Sequence, residues 1–159
     1  MFVTHNKVSG DEILYILQNP WLLSKNEWQL ENPSNQSIAL NSILHKIAQA
    51  EKDGFFDIWK TDNDKPIAIL GFFNIGVKLY ETFFIASNLM ESYGMKVSYE
   101  LRKVLKDKEE TDYRGCTCRL YSESDHPNQI KWFKFIGFDY IPEKSIGNHK
   151  YFEYVSDLK

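Results

Sequence analysis

The sequence predicts an α+β fold, a central sheet flanked by helices, and three observations carry that expectation. Short runs rich in Tyr, Phe, Thr and Ile alternate with stretches whose apolar residues recur at helical spacing. Residues 78–86 read as a strand that empties through a break into an amphipathic stretch ending near Asp107. Finally, 159 residues with 43% hydrophobic and 15% aromatic content suffice for one domain, spanning 1–159, with a sizeable core.

Taken in order, residues 2–6, from Phe2, read as a short first strand. Ser9 and Glu12 match the capping box that opens a helix, and Pro20 stops that helix after Asn19. Residues 21–30 are apolar enough for another short helix before Glu31-Asn-Pro-Ser34 breaks the chain; its tryptophans, Trp21 and Trp28, are read as core rather than cleft rim. Residues 36–53 form a long helix with Leu40, Ile43, Leu44, Ile47 and Ala48 as its apolar stripe and His45 in solvent. Gly54 ends it. Strands 55–60 and 66–74 follow, joined by Thr61-Asp-Asn-Asp-Lys65, which has hairpin composition. Strand 78–86 is the fourth; residues 87–93 break the run, and from Gly94 onward Val97, Leu101, Val104 and Leu105 share a helical face. A strand at 115–121, a polar turn and a helix at 128–136 come next, the helix turning Ile130, Phe133 and Ile136 inward and ending at Gly137. Strands 138–141 and 151–155, linked through Ser145-Ile-Gly-Asn148, close the chain.

Composition narrows the function classes. The net charge is -3 with acidic and basic residues interspersed, which disfavours a nucleic-acid partner. Lys131-Trp-Phe-Lys134 interleaves basic and aromatic residues, but at helical spacing the aromatics read as core. The first seven residues lack a secretory h-region, and the longest apolar run, 66–77, is too short to span a bilayer, so no membrane role and a cytoplasmic location are expected. Cys116 and Cys118 alternate on one strand face and read as small buried hydrophobes in a reducing compartment. With His126 they offer no fourth ligand at zinc spacing, so no metal is expected. The strand, glycine turn and helix at 78–107 would aim several backbone N–H groups at one point, where an anion would sit well.

This order of elements resembles the GNAT N-acetyltransferase superfamily over residues 55–155, and two local patterns add to the resemblance. Trp132-Phe-Lys-Phe-Ile-Gly-Phe138 is similar to the end of the family's N-x-x-A-x-x-x-Y-x-x-x-G-F segment, with His126 at the Asn position, Gln129 at Ala, Phe133 at Tyr and Gly137-Phe138 at Gly-Phe. Glu91-Ser-Tyr-Gly-Met-Lys96 falls on the family's Q/R-x-x-G-x-G/A acyl-CoA loop and matches it at Gly94. The resemblance implies a mostly antiparallel sheet splayed between its fourth and fifth strands, with acetyl-CoA as co-substrate for acyl transfer to an amine. It places the cofactor arm along Phe84, Ile85 and Ala86, the pyrophosphate around Tyr93, Gly94, Met95 and Lys96, and Asn128 and Phe133 beside the cofactor. A carboxylate at the splay would serve as base, with Glu81 and Glu123 as candidates. Phe133 stands where the family places the tyrosine that protonates the leaving thiolate, and a phenyl ring has no proton to give; Tyr121, with Tyr93 and Tyr140, is the candidate substitute. Glu91 puts a carboxylate where Gln or Arg usually faces phosphate, and Lys96 replaces a small residue with a charge able to contact phosphate directly.

The implied partners are a small-molecule or protein amine acceptor, and a homodimer is compatible with the resemblance. A looser likeness is to GNAT-like proteins of short-tailed bacteriophages that are required for assembly of the internal virion proteins. These also have an eroded acyl-CoA loop, and their last third is similar to residues 126–154. That likeness implies an alternative: a non-catalytic protein of virion assembly or a binding module, with virion proteins as partners and the host cytoplasm or virion as its place.

Overall fold

The capping box forms as read. Ser9 Oγ accepts from the Glu12 N–H at 3.1 Å and Glu12 Oε1 accepts from the Ser9 N–H at 2.9 Å, opening α1 (Gly10–Gln18). The computed structural model describes residues 3–155; Phe2 lies outside the described residues, and β1 is Val3–His5. The remaining elements are α2 (Leu22–Glu27), α3 (Asn35–Lys52), β2 (Gly54–Lys60), β3 (Pro66–Gly76), β4 (Leu79–Ala86), α4 (Met90–Glu110), β5 (Thr117–Ser122), α5 (Pro127–Ile136), β6 (Asp139–Tyr140), a 3₁₀ turn at Pro142–Lys144 and β7 (Lys150–Val155).

The strands make one sheet in the order β1-β2-β3-β4-β5-β7-β6, antiparallel at every pairing except β4 with β5. Thr61 and Lys65 close the β2–β3 hairpin, the Thr61 N–H donating to the Lys65 carbonyl at 2.9 Å. β3 is the spine: Ile67, Ala68, Ile69, Leu70 and Phe72 are wholly buried, because helices cover both faces of the sheet. On one face α1 and α3 bury Ile13, Ile16, Ile43 and Ile47 against Ile58, Ile69 and Ile85. On the other, α4 and α5 bury Val97, Leu101, Leu105 and Phe133 against Leu70, Phe72 and Phe152.

Gly137 terminates α5 as expected. Its φ is +118°, the Phe138 N–H returns to the Phe133 carbonyl at 2.9 Å, and a Cβ there would stand 2.1 Å from the Tyr154 ring.

Two expectations are corrected. α3 turns inward Ala39, Ile43, Ile47 and Ala50, whereas Leu44 and Ala48 are exposed. The face that meets the sheet takes Ala39 and Ala50 in place of Leu44 and Ala48, and these small residues let the helix approach closely. The second correction concerns α4, which begins at Met90 rather than at Gly94. Met90 is 4% exposed and packs in the core, so burying it pulls the first turn into the helix; Gly94 then sits in the helix body, where a Cβ would meet only the Met90 terminal methyl at 3.9 Å.

Candidate functional site

β4 and β5 pair for three rungs only, Leu79 with Thr117, Tyr80 with Cys118 and Glu81 with Arg119. Beyond Glu81 the two strands run on to Ala86 and Ser122 without pairing, which leaves a V in the sheet.

At the inner end of the V lies a cavity of about 260 Å³. Its floor is apolar, built by Leu70, Leu120, Phe133, Ile136 and Phe138, and its rim carries Glu27, Lys46, Glu81, Glu123 and His149. Thr82 also lines it, and its buried hydroxyl has no hydrogen-bond partner among the described residues. Such an atom costs about 1–3 kcal/mol unless a ligand or water satisfies it.

The three carboxylates are held differently. Glu81 lies between Lys46 Nζ at 3.9 Å and Arg119 Nη2 at 3.5 Å, and Glu123 faces His149 Nε2 at 3.5 Å. Glu27 is held by neutral donors: Ser122 Oγ donates to Oε1 at 2.5 Å and the Glu123 N–H donates to Oε2 at 2.6 Å. Burial pushes the Glu27 carboxyl above the ordinary carboxylate range, and these two hydrogen bonds offset that only in part. Sequence reading missed Glu27, because nothing in Lys25-Asn-Glu27 marks it. Trp28, expected in the core, is half-buried: it packs against the core on the α1–α3 face and also lines the cavity.

The outer part of the V is closed. Phe84, Trp21 and Trp132 form an aromatic trio with ring centroids 4.6 Å apart for Phe84–Trp132 and 5.4 Å for Trp21–Trp132. Trp132 Nε1 donates to Ser98 Oγ at 2.9 Å, tying α5 to α4 across the gap. The β4 edge is bonded to the chain itself. The Ala86 N–H donates to Ser24 Oγ at 3.0 Å, the Ala86 carbonyl accepts from the Trp21 N–H at 2.9 Å, and the Phe84 carbonyl accepts from Trp28 Nε1 at 3.0 Å.

The turn after β4 is equally occupied. All seven amides from Ser87 to Tyr93 donate within the protein, to Ile67 O, Asn19 O, Ser87 Oγ, Ser87 O, Asn88 O and, for Ser92 and Tyr93 alike, Leu89 O. The expectation that Tyr93, Gly94, Met95 and Lys96 offer amides to a pyrophosphate is therefore corrected: Tyr93 N bonds to Leu89 O at 3.0 Å, and all four lie within α4. Of the other expected residues, Glu81, Phe84, Tyr121, Glu123 and Phe133 meet at the cavity. Ile85 is buried on the α3 face. Asn128 lies apart, with Trp21 and Trp132 in a groove at the outer mouth. Tyr140 is in β6 against Phe152, and Tyr93 is exposed.

No protein-family model and no curated protein matches this sequence. Solved structures do. An acetyltransferase of the GNAT family from Staphylococcus aureus superposes with a TM-score of 0.70 at 13% identity, over 100% of both chains. The PaiA N-acetyltransferase of Thermoplasma acidophilum, in complex with coenzyme A, gives 0.62 at 14% identity over 98% of this chain and 99% of that one. Campylobacter jejuni PseH, in complex with acetyl coenzyme A, gives 0.58 at 14% identity over 98% and 99%.

The chain has the GNAT fold. Within that GNAT fold the residues fit the two ends of acetyl-CoA unequally. The cavity, with its orphaned Thr82 hydroxyl and apolar floor, fits a small acyl group. The Phe84 and Ala86 backbone groups and the turn amides are already bonded within the protein, so the β4 edge and the turn offer no open seat for the rest of the molecule in this arrangement.

Proposed function

We propose that this chain is an acetyl-CoA-dependent N-acyltransferase acting on an amine, with Glu27 as the base that takes the amine proton. The observation that carries the reading is the cavity at the apex of the V, where Glu27 shares a rim with Glu81 and Glu123. An amine acceptor is a cation at neutral pH, and a rim with three carboxylates, two of whose charges Lys46 and Arg119 offset, favours its entry without fixing it.

Acetyl-CoA, when bound, supplies the acyl thioester. Glu27 has a property a base needs, since burial raises its pKa and so strengthens its hold on a proton. Ser122 and the Glu123 amide fix its two oxygens, so it is aimed before the amine arrives. Leu70, Leu120, Phe133 and Phe138 keep water from the floor, which favours aminolysis over hydrolysis. Phe133 has no proton to return, and Tyr121, on the same rim, is the hydroxyl we assign to that task.

The test is acetyl transfer to a panel of polyamines and peptide amino termini, followed by release of the free thiol. Glu27→Gln is expected to lower kcat/KM by about 10²–10⁴-fold, the usual contribution of a general base. Turnover undiminished in that variant would reject the assignment.

A second reading is a non-catalytic GNAT-fold protein that binds a partner, such as a virion protein during assembly. The bonded amides from Ser87 to Tyr93 and the closed β4 edge favour it. The two readings part on thermal stability. A ligand that binds only the native state stabilises it by RT ln(1 + [L]/Kd), so acetyl-CoA at millimolar concentration raises the Tm under the first reading and leaves it unmoved under the second.

A further inference from the structure

α4 and α5 lie side by side, and their seam carries large apolar side chains to the surface. Met95 and Tyr99 stand one helical turn apart on α4 and are 70% and 55% exposed. The Tyr99 ring meets the half-buried Phe135 ring of α5 edge-on, centroids 5.1 Å apart. One turn before Phe135, Trp132 enters a groove of about 410 Å³ that it shares with Trp21 and Leu22, the latter 58% exposed. The strip therefore continues from α4 across α5 to α2. A contiguous apolar strip rimmed by polar groups marks an interaction site, which scattered single side chains do not.

The charges beside the strip are of one sign. Arg102 lies over the Phe135 ring at 5.4 Å, Lys106 follows it one turn on, and Lys131 and Lys134 stand on the outer flank of α5. All four are exposed, and none makes an ion pair among the described residues. Successive residues of a helix step round its axis by about 100°, so Glu100 and Asp107 point well away from Arg102 and from α5. The carboxylates of Glu91 and Glu110 bound the strip at its two ends. A chain whose net charge is -3 thus sets four cations round an exposed apolar strip.

We propose that the α4–α5 seam is the docking site for an amphipathic helix of a partner protein. Its apolar residues lie on Met95, Tyr99 and Phe135, and Asp or Glu on its flanks meets Arg102, Lys106, Lys131 and Lys134. Length and charge choose that occupant. From Met95 to Lys106 α4 advances about 16 Å, the length of about three helical turns, and a helix laid in a groove anchors itself at i, i+3 or i+4 and i+7. A second copy seated about a twofold axis would set the same cations against one another. A single-stranded nucleic acid needs open ring faces for its bases, and here Arg102 takes the face of Phe135 while Trp132 is packed in the aromatic trio. Met95, Tyr99, Phe135 and the four cations lie outside the cavity lining, so the docking site stands under either reading of that cavity.

The experiment measures fluorescence anisotropy of a labelled helical peptide built from Leu and Glu, with Leu at i, i+3, i+4 and i+7, against the full chain. A scramble of the same composition and a Leu/Lys counterpart serve as comparisons. The Leu/Glu peptide should bind at least about tenfold more tightly than either. Met95→Ser/Tyr99→Ser and Arg102→Glu/Lys131→Glu change exposed side chains only, so each should keep the wild-type Tm and weaken the Leu/Glu peptide by about tenfold or more. The charge-reversed variant should gain affinity for the Leu/Lys peptide. Equal binding of the peptide and its scramble, or undiminished affinity in both folded variants, overturns the proposal. So does tighter binding of oligo-dT or of anionic phospholipid vesicles than of the peptide, or self-association of the chain that Met95→Ser/Tyr99→Ser abolishes, since each assigns the seam to another occupant.

Discussion

At the inner end of the V, Thr82, Leu120 and Phe133 line open space and a buried hydroxyl stays unpaired; a few residues further along the same strand, the outward groups of Phe84 and Ala86 are bonded to the chain and roofed by three aromatic rings. One strand therefore carries two solutions to the loss of its neighbour. At Phe84 and Ala86 the chain seals the edge, as an unpaired edge invites association. At Thr82 the chain leaves room that costs stability and is useful only to a ligand. Truncations in the outer half should therefore be expensive, and substitutions at the apex should be neutral or stabilising.

The largest contrast is expected at Trp132. Trp132→Ala removes its ring from the trio and its hydrogen bond to Ser98, and should cost about 3 kcal/mol, read as a lower denaturant midpoint with an unchanged m-value. At the apex, Thr82→Val keeps the shape and deletes the unpaired hydroxyl, and should stabilise by about 1 kcal/mol. A loss of similar size at both positions would erase the distinction between the halves.

The pH dependence sharpens the comparison, because the two best-held glutamates are displaced in opposite senses. Burial raises Glu27, so the folded chain holds that proton more tightly than the unfolded chain. Its contribution to stability is fullest below the ordinary carboxylate range and declines as pH rises through the folded value. Glu12 behaves in reverse. Burial opposes its ionisation, but the Lys60 ammonium at 2.8 Å and the Ser9 N–H outweigh burial and lower its pKa. That stability is present above the ordinary range and is lost as pH falls through the folded value. Above about pH 4 the Tm of wild type relative to Glu27→Gln should fall with rising pH, whereas relative to Glu12→Gln it should hold level there and drop as the pH falls below about 4. Parallel slopes would mean that Glu27 is not buried in the way described.

What was legible in the sequence follows the range of the interactions. Ser9 with Glu12, Gly137, and the hairpin at Thr61–Lys65 act over a few residues, and each does what its local chemistry dictates. The element order followed from hydrophobic period, and the fold from the order. The closing of the V was not legible, since Ser24 and Ala86 lie 62 residues apart and Glu27 and Ser122 lie 95 apart. Serine, tryptophan and glutamate in a short helix carry no mark of what they will meet. Glu81 and Glu123, which line the cavity, could be named from the sequence because the splay was expected beside them; Glu27 enters from an element that the sequence ties to neither strand.

The smallest expected effect discriminates most finely, and it lies at Gly94. As the glycine of a phosphate loop it would need freedom that a side chain removes, and Gly94→Ala would destabilise the protein or block a ligand. In the structure it sits in the second turn of α4, where an added Cβ would have only a flexible methionine methyl within 4 Å, and the amides before it are already bonded. Alanine then loses less backbone entropy than glycine on entering the helix, and Gly94→Ala should stabilise by about 0.5–1 kcal/mol. Paired with a titration of acetyl-CoA, the same variant separates two routes of entry. If the donor binds without disturbing α4, affinity is unchanged while the Tm rises. If binding also requires the first turns of α4 to unwind into a loop, the stabilised helix resists it, and affinity falls by the factor that the gain in stability sets.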